Sequence, residues 1–355
     1  MSDQEKVLVT GASGFIGGRI VEVLHLTGAL PVRAGIRRWS TCARLGRFPV
    51  EIVQFDLLQD AQVQRALEGV SFVVHCAKGS RKETVLGTEN LLRASLAHGV
   101  KRFVHLSTAD VYGEVAGEID ETFPLRSTGT EYSQMKIEAE NVCWHFKEKG
   151  LPLTVLRPTI VYGPFSRNWT VSIAERLLQG AWGRFVEYGD GLCNLLYVDD
   201  LVRAVYFALL CPDAAGEAFN VNGPNVISWN DYFSRFNDML GLPKLHRLTR
   251  VHSRLKTTLM APVRTIGRHM RTHYAAPLKK LASNFPPADA LMRRTEKAIK
   301  TTPAPEELKL FSRKAHYKCN KAQDKLGYTP KVDIESGLTL SIEWLIHQGF
   351  LNRIH

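Results

Sequence analysis

The chain has 355 residues, 45% hydrophobic and 23% charged, which is enough apolar content to bury a sizeable core in one large α/β domain or in a core domain with a smaller lobe. No apolar run approaches the ~18 residues that a membrane span needs, and no basic-then-apolar leader precedes the first strand, so a cytoplasmic protein is expected. The net charge of +11 is concentrated, since residues 241–318 hold 18 Lys/Arg against 4 Asp/Glu, leaving 28 of the 46 basic and 31 of the 35 acidic residues elsewhere. That points to an anionic partner for one segment and not for the whole molecule. The six cysteines (Cys42, Cys76, Cys143, Cys193, Cys211, Cys319) form no Cys-x-x-Cys pair and read as buried thiols of a reducing compartment, with no metal site.

Apolar runs at 7–10, 32–36, 51–55, 72–76 and 103–106 read as strands, with helical periodicity between them at 14–26, 61–67 and 83–97. Such alternation predicts parallel βαβ units in a doubly wound α/β fold. At the first strand-to-helix turn, Gly11, Gly14 and Gly17 stand three apart. Glycine allows the tight turn and lets backbone N–H groups approach a pyrophosphate, which the positive end of the new helix then faces.

A helix is predicted over 131–149, followed by a strand at 153–156. Tyr132 and Lys136 are four apart on it and share a face. An ammonium one turn away is expected to favour the phenolate and lower the tyrosine pKa, so that Tyr132 can exchange a proton with an alcohol or carbonyl. The preceding strand carries Ser107 and Thr108 at its carboxyl end, where open α/β sheets place their reaction sites. After Arg157-Pro158, Pro, Gly and aromatic residues become frequent, until a last amphipathic helix near 334–346. We therefore divide the chain into a dinucleotide-binding core at 1–157, with core elements recurring to about 230, and a substrate-binding lobe at 158–355. That lobe carries a basic helical insertion at about 241–315.

Thr10-Gly11-x-x-Gly14-x-x-Gly17, Ser107-Thr108-Ala109-Asp110-Val111-Tyr112-Gly113, Tyr132-x-x-x-Lys136 and Leu156-Arg157-Pro158 occur in this order. Together they resemble the extended short-chain dehydrogenase/reductase family, of the sugar epimerase/dehydratase type. Tyr197-Val198-Asp199-Asp200, Phe219-Asn220-Val221 and Leu326-Gly327-Tyr328-x-Pro330 are similar to its later landmarks. The resemblance spans nearly the whole chain outside 241–315. It implies a Rossmann-type sheet with a smaller α/β C-terminal lobe, a nicotinamide dinucleotide cofactor, an activated sugar as substrate and a homodimer.

By position, the resemblance implies that Gly11, Ser13, Gly14, Phe15, Ile16 and Gly17 hold the dinucleotide phosphates. Asp56 and Leu57 would meet the adenine end, although Asp56 also reads as a helix N-cap. Cys76, Ala77, Lys78 and Pro158 would line the cofactor site. Thr108 and Tyr132 would be catalytic, with Lys136 holding the ribose hydroxyls and tuning Tyr132. Where NAD binders commonly end the second strand with an acidic residue, this chain reads Ile36-Arg37-Arg38. The two guanidiniums suit a 2′-phosphate and favour NADP(H) over NAD(H); the alternative is a solvated basic turn.

Dehydratases of the family usually read Thr-Asp-Glu where this chain has Thr108-Ala109-Asp110, so elimination lacks its proton donor. Asp110 either contacts substrate or faces solvent. Asn194 stands where many nucleotide-sugar enzymes place a phosphate-binding Arg, and Arg167, Arg184 or Arg235 could supply that contact instead. In the basic segment, Leu255, Leu259, Val263, Ile266, Met270 and Tyr274 recur at three- and four-residue steps among arginines. Residues 250–300 could lie on an anionic membrane surface or pack their apolar stripe on the core. No nucleic-acid motif accompanies them. Reversible hydride transfer on an activated sugar, by epimerisation or ketoreduction, is the leading expectation. A hydroxysteroid- or sterol-type dehydrogenase at a membrane surface and a non-catalytic dinucleotide sensor are its rivals.

Overall fold

The structure, a computed structural model, describes residues 5–180, 182–251 and 301–351, together with 253, 255, 257–260, 262 and 298. The chain divides into two compact units. The first comprises Met1–Gly163, Asn194–Asn225 and His316–Gly337. Its centre is a seven-stranded parallel sheet. The strands are β1 (Val7–Thr10), β2 (Val32–Ile36), β3 (Glu51–Gln54), β4 (Phe72–His75), β5 (Arg102–Leu106), β6 (Leu153–Pro158) and β7 (Glu217–Val221), in the order β7-β6-β5-β4-β1-β2-β3. Every residue of β1, β4, β5 and β6 is buried, the pattern of strands covered on both faces. β3 is one of the two edges, and its exposed Glu51 pairs with Lys6 and Arg33.

The helices α1 (Phe15–Leu26), α2 (Asp60–Leu67), α3 (Arg81–Ala97) and α4 (Glu131–Glu148) connect these strands. Leu8, Val73, Phe103 and Val155 of the sheet pack with Val63 and Leu67 of α2, Leu91 and Leu92 of α3, and Cys143 and Phe146 of α4 in one core. On the other face α1 meets α5 (Val198–Leu210), held by Arg19 Nε donating to Asp199 Oδ1 at 2.6 Å. Chain order reverses between β1 and β4, and ligands of such sheets bind outside the carboxyl ends at this point.

The second unit comprises Pro164–Cys193, Val226–Ala315 and Leu338–His355. Its core is aromatic: Trp182, Phe185, Trp229, Phe233 and Phe311 meet with ring centroids 4.6–6.3 Å apart. All six cysteines are free. Cys143 and Cys193 are buried, and the other four are half-buried. The apolar-basic stripe expected from Leu255 to Tyr274 falls mostly outside the described residues. Among the described residues, no helix is long and apolar enough to cross a membrane.

Candidate active site

The glycine turn sits where β1 and β4 end side by side. Gly11 has φ +66°, and a Cβ there would stand 2.9 Å from the Ala77 backbone, so only glycine lets these two strand ends close. A Cβ on Gly17 would lie 2.5 Å from the Gly11 carbonyl oxygen. No side chain caps α1, whose N-cap is the exposed Gly14. Its first N–H groups, around Ser13, Phe15 and Ile16, are thus presented as an anion cradle. These residues suit the pyrophosphate of a dinucleotide. Gly17→Ala is expected to displace the turn and weaken dinucleotide binding about tenfold or more. A titration giving an unchanged Kd would count against the cradle.

The adenine-side residues form their own turn. Asp56 Oδ1 accepts the Leu58 N–H at 2.9 Å, and the Asp56 N–H donates to Gln62 Oε1 at 2.9 Å. The N-cap of α2 is Gln59, so the N-cap reading of Asp56 is corrected. The Leu57 carbonyl accepts from Asn90 of α3 at 2.9 Å, which pins this turn. Arg37 and Arg38 are exposed beyond β2. Arg37 is not unengaged, since its guanidinium pairs with Glu83. Glu83 also closes the capping box of α3 with Ser80, and hydrogen bonds from Ser80 hold its carboxyl below the ordinary range, helped by Arg37 and Arg38.

The catalytic candidates converge at the carboxyl end of β5. Thr108 opens a 3-10 turn, Ala109–Tyr112, by accepting the Asp110 N–H at 3.2 Å. The turn is locked to α4: Thr130 caps the helix through the Ser133 N–H, and Ser133 Oγ donates to the Asp110 carbonyl at 3.1 Å. This lock sets Tyr132 near Thr108, whose hydroxyl favours the phenolate. Burial nevertheless raises the Tyr132 pKa, and the Asp110 carboxylate raises it further, against the pull of Thr108.

Lys136 does not lower that pKa as expected. Its Nζ donates to the Leu106 carbonyl at 2.7 Å, inside the first unit, because the buried ammonium needs the strand-end oxygen. Burial, then the charge of Lys78, brings Lys136 down to about 8. Lys78 itself is exposed, with its Nζ 4.8 Å from the Tyr132 ring centroid. Cys76 is an inert thiol, pushed up to about 12 by burial. Pro158 ends β6, buried beside Val221.

Two expected substrate contacts are corrected. Ser107 turns inward, 5% exposed, and donates to Glu140 Oε2 at 2.7 Å. Asn194 is 7% exposed; its Oδ1 accepts from Asn222 Nδ2 at 3.1 Å and its carbonyl from the Ile160 N–H at 2.9 Å, so it joins segments of the first unit. Asp110 is half-buried and accepts from Thr128 Oγ1 at 3.3 Å. Arg167 belongs to the second unit, exposed at the start of a single π turn, Arg167–Val171.

Residue-by-residue reading missed a buried network under the site. Arg157 Nε donates to Glu140 Oε1 at 3.0 Å and its Nη1 to Tyr112 Oη at 2.8 Å, while Tyr112 donates to Asn220 Oδ1 at 2.7 Å. His75, also buried, shares its Nδ1 with Thr10 Oγ1 at 2.7 Å and its Nε2 with Thr88 Oγ1 at 2.9 Å, and burial drives it down to about 3, hence neutral. Glu140 stands one turn beyond Lys136, and Arg157 lies within the Leu-Arg-Pro motif, so a signal for both was present.

Residues 7–222 match the model of the NAD dependent epimerase/dehydratase family, more than half of the chain. The chain belongs to this family. Family members of this extended short-chain type are NAD-dependent enzymes. An uncharacterised UDP-glucose epimerase of Bacillus subtilis strain 168 is 28% identical over 267 residues, covering 66% of this chain and 82% of its own length. Sterol demethylase protein B of Methylococcus capsulatus is 31% identical over 229 residues, 61% and 69% of the two chains. Among solved structures, UDP-glucuronic acid 4-epimerase of Bacillus cereus in complex with NAD matches 98% of this chain and 100% of its own, with TM-score 0.71 and 19% identity, a likeness of fold.

Proposed function

We propose that this chain catalyses reversible hydride transfer at a carbinol or ketone of a nucleotide sugar or other activated sugar, as an epimerase or ketoreductase. The observation that carries this reading is the convergence of Thr108, Tyr132 and Asp110 at the carboxyl end of β5, with Lys78 over the Tyr132 ring and Lys136 on the Leu106 carbonyl. The dinucleotide, when bound, supplies the hydride chemistry. Thr108 orients the substrate oxygen by hydrogen bonding, and Tyr132 takes or returns its proton. Lys136, now on the Leu106 carbonyl, would hold the ribose hydroxyls of the bound dinucleotide. Elimination is disfavoured, because Ala109 carries no acid beside Asp110. Incubation with UDP- and dTDP-hexoses and 4-keto-hexoses should give an epimer or a reduced sugar. A panel that is inert throughout, with a hydroxysteroid oxidised instead, would replace this reading by the sterol-type one that the Methylococcus relative supports.

We further propose that the cofactor is NADP(H) in preference to NAD(H). The support is local: two exposed guanidiniums follow β2 and no carboxylate ends it. The Glu83 carboxylate competes with a 2′-phosphate for Arg37, which leaves Arg38 as the readier partner. NADPH is expected to bind about tenfold more tightly than NADH, and Arg38→Asp to reverse the order. Equal or tighter NADH binding by the wild type would overturn the preference.

A further inference from the structure

The lysine expected to act on Tyr132 is turned toward a carbonyl, and another cation faces the phenol. Lys78 lies in the loop between β4 and α3, and its Nζ stands 4.8 Å from the Tyr132 ring centroid. Its charge also reaches Lys136 and disfavours protonation there. We propose that Lys78 is a positioning residue for the reaction, favouring the ionised phenol of Tyr132 through its ring face and so setting the pH at which Tyr132 works as a base. This rests on the reading of Tyr132 as the acid/base.

The physical argument is short. An aromatic face is negative, and ionising the hydroxyl spreads more negative charge into the ring, so a cation over that face favours the phenolate. The other groups around Tyr132 divide. Asp110, from the 3-10 turn, opposes ionisation, and the Thr108 hydroxyl favours it. Lys136, on the same helix, is directed to Leu106, and Cys76, at the end of β4, is a neutral thiol. Lys78, over the ring face, is the cation placed to oppose Asp110. In the oxidising direction the phenolate oxygen receives the substrate hydroxyl proton as the C–H hydride leaves for the nicotinamide. In the reducing direction the same O–H bond gives the proton back to the new alkoxide.

The test compares Lys78→Met with Lys78→Arg in the full-length protein. Tyrosinate absorbance is titrated and the Tyr132 signal isolated by subtracting Tyr132→Phe, which needs no substrate. The midpoint is expected to rise by about half to one pH unit in Lys78→Met and to stay near the wild-type value in Lys78→Arg. In turnover at saturating dinucleotide, the acid limb of the rate profile should move by the same amount, a three- to tenfold loss below it at about the stated shift. An unmoved midpoint in Lys78→Met, or an equal rise in Lys78→Arg, would overturn the role of Lys78. Turnover that survives Tyr132→Phe would instead overturn the acid/base reading beneath it, so the two failures are distinguishable.

Discussion

Tyr132→Phe is expected to lower turnover about 10²- to 10⁴-fold while dinucleotide affinity stays within about twofold of wild type. The substitution removes one oxygen and its proton and leaves the ring in place. The ring is fixed by the α4 lock, in which Ser133 binds the Asp110 carbonyl and Thr130 caps the helix, and neither contact involves the phenol oxygen. The hydroxyl that remains, on Thr108, can orient a substrate oxygen but is too weak an acid to replace the phenol near neutrality. Parallel measurement of steady-state rates and dinucleotide titrations checks both halves. A variant that turns over at the wild-type rate would remove Tyr132 from the chemistry.

Glu140→Gln should be among the most destabilising single changes in the first unit, by about 3–5 kcal/mol. Glu140 is fully buried, and Arg157, 4% exposed, has it as its counter-charge. The neutral amide would leave the guanidinium buried and uncompensated, and the Ser107 hydroxyl would lose its carboxylate acceptor. Because Ser107 directly precedes Thr108, activity should fall with stability. Replacing both partners, Glu140→Leu with Arg157→Met, should cost less than Glu140→Gln alone. Urea unfolding of the three proteins measures this, and a loss under about 1 kcal/mol for Glu140→Gln would mean that the pair is not held as described.

The elements were legible where the signal is local. The strand, glycine turn and helix from Val7 to Leu26 are encoded in one run of residues, and the periodicities that place α2, α3 and α4 are equally short-range. The family motifs then ordered Gly11, Thr108, Tyr132 and Lys136 along one sheet edge. What escaped reading depends on partners far along the chain. Ser107 looked outward until Glu140, 33 residues on, claimed its hydroxyl. Asn194 was claimed by Asn222, and Arg37 by Glu83, 46 residues away. Lys136 sits on the face that helical spacing predicts, but its ammonium prefers the end of β5, a choice made by burial rather than by spacing. Lys78, placed by the resemblance only in the cofactor site, touches Tyr132 across the fold, a contact that no spacing announces.

The most direct test of hydride transfer is the absorbance of reduced nicotinamide in protein loaded with oxidised dinucleotide, followed as UDP- and dTDP-hexoses are added one at a time. The account predicts that at least one sugar produces reduced cofactor in the wild type and none does in Tyr132→Phe. A wild-type protein that binds the dinucleotide yet never reduces it, with any sugar nucleotide offered, would contradict it.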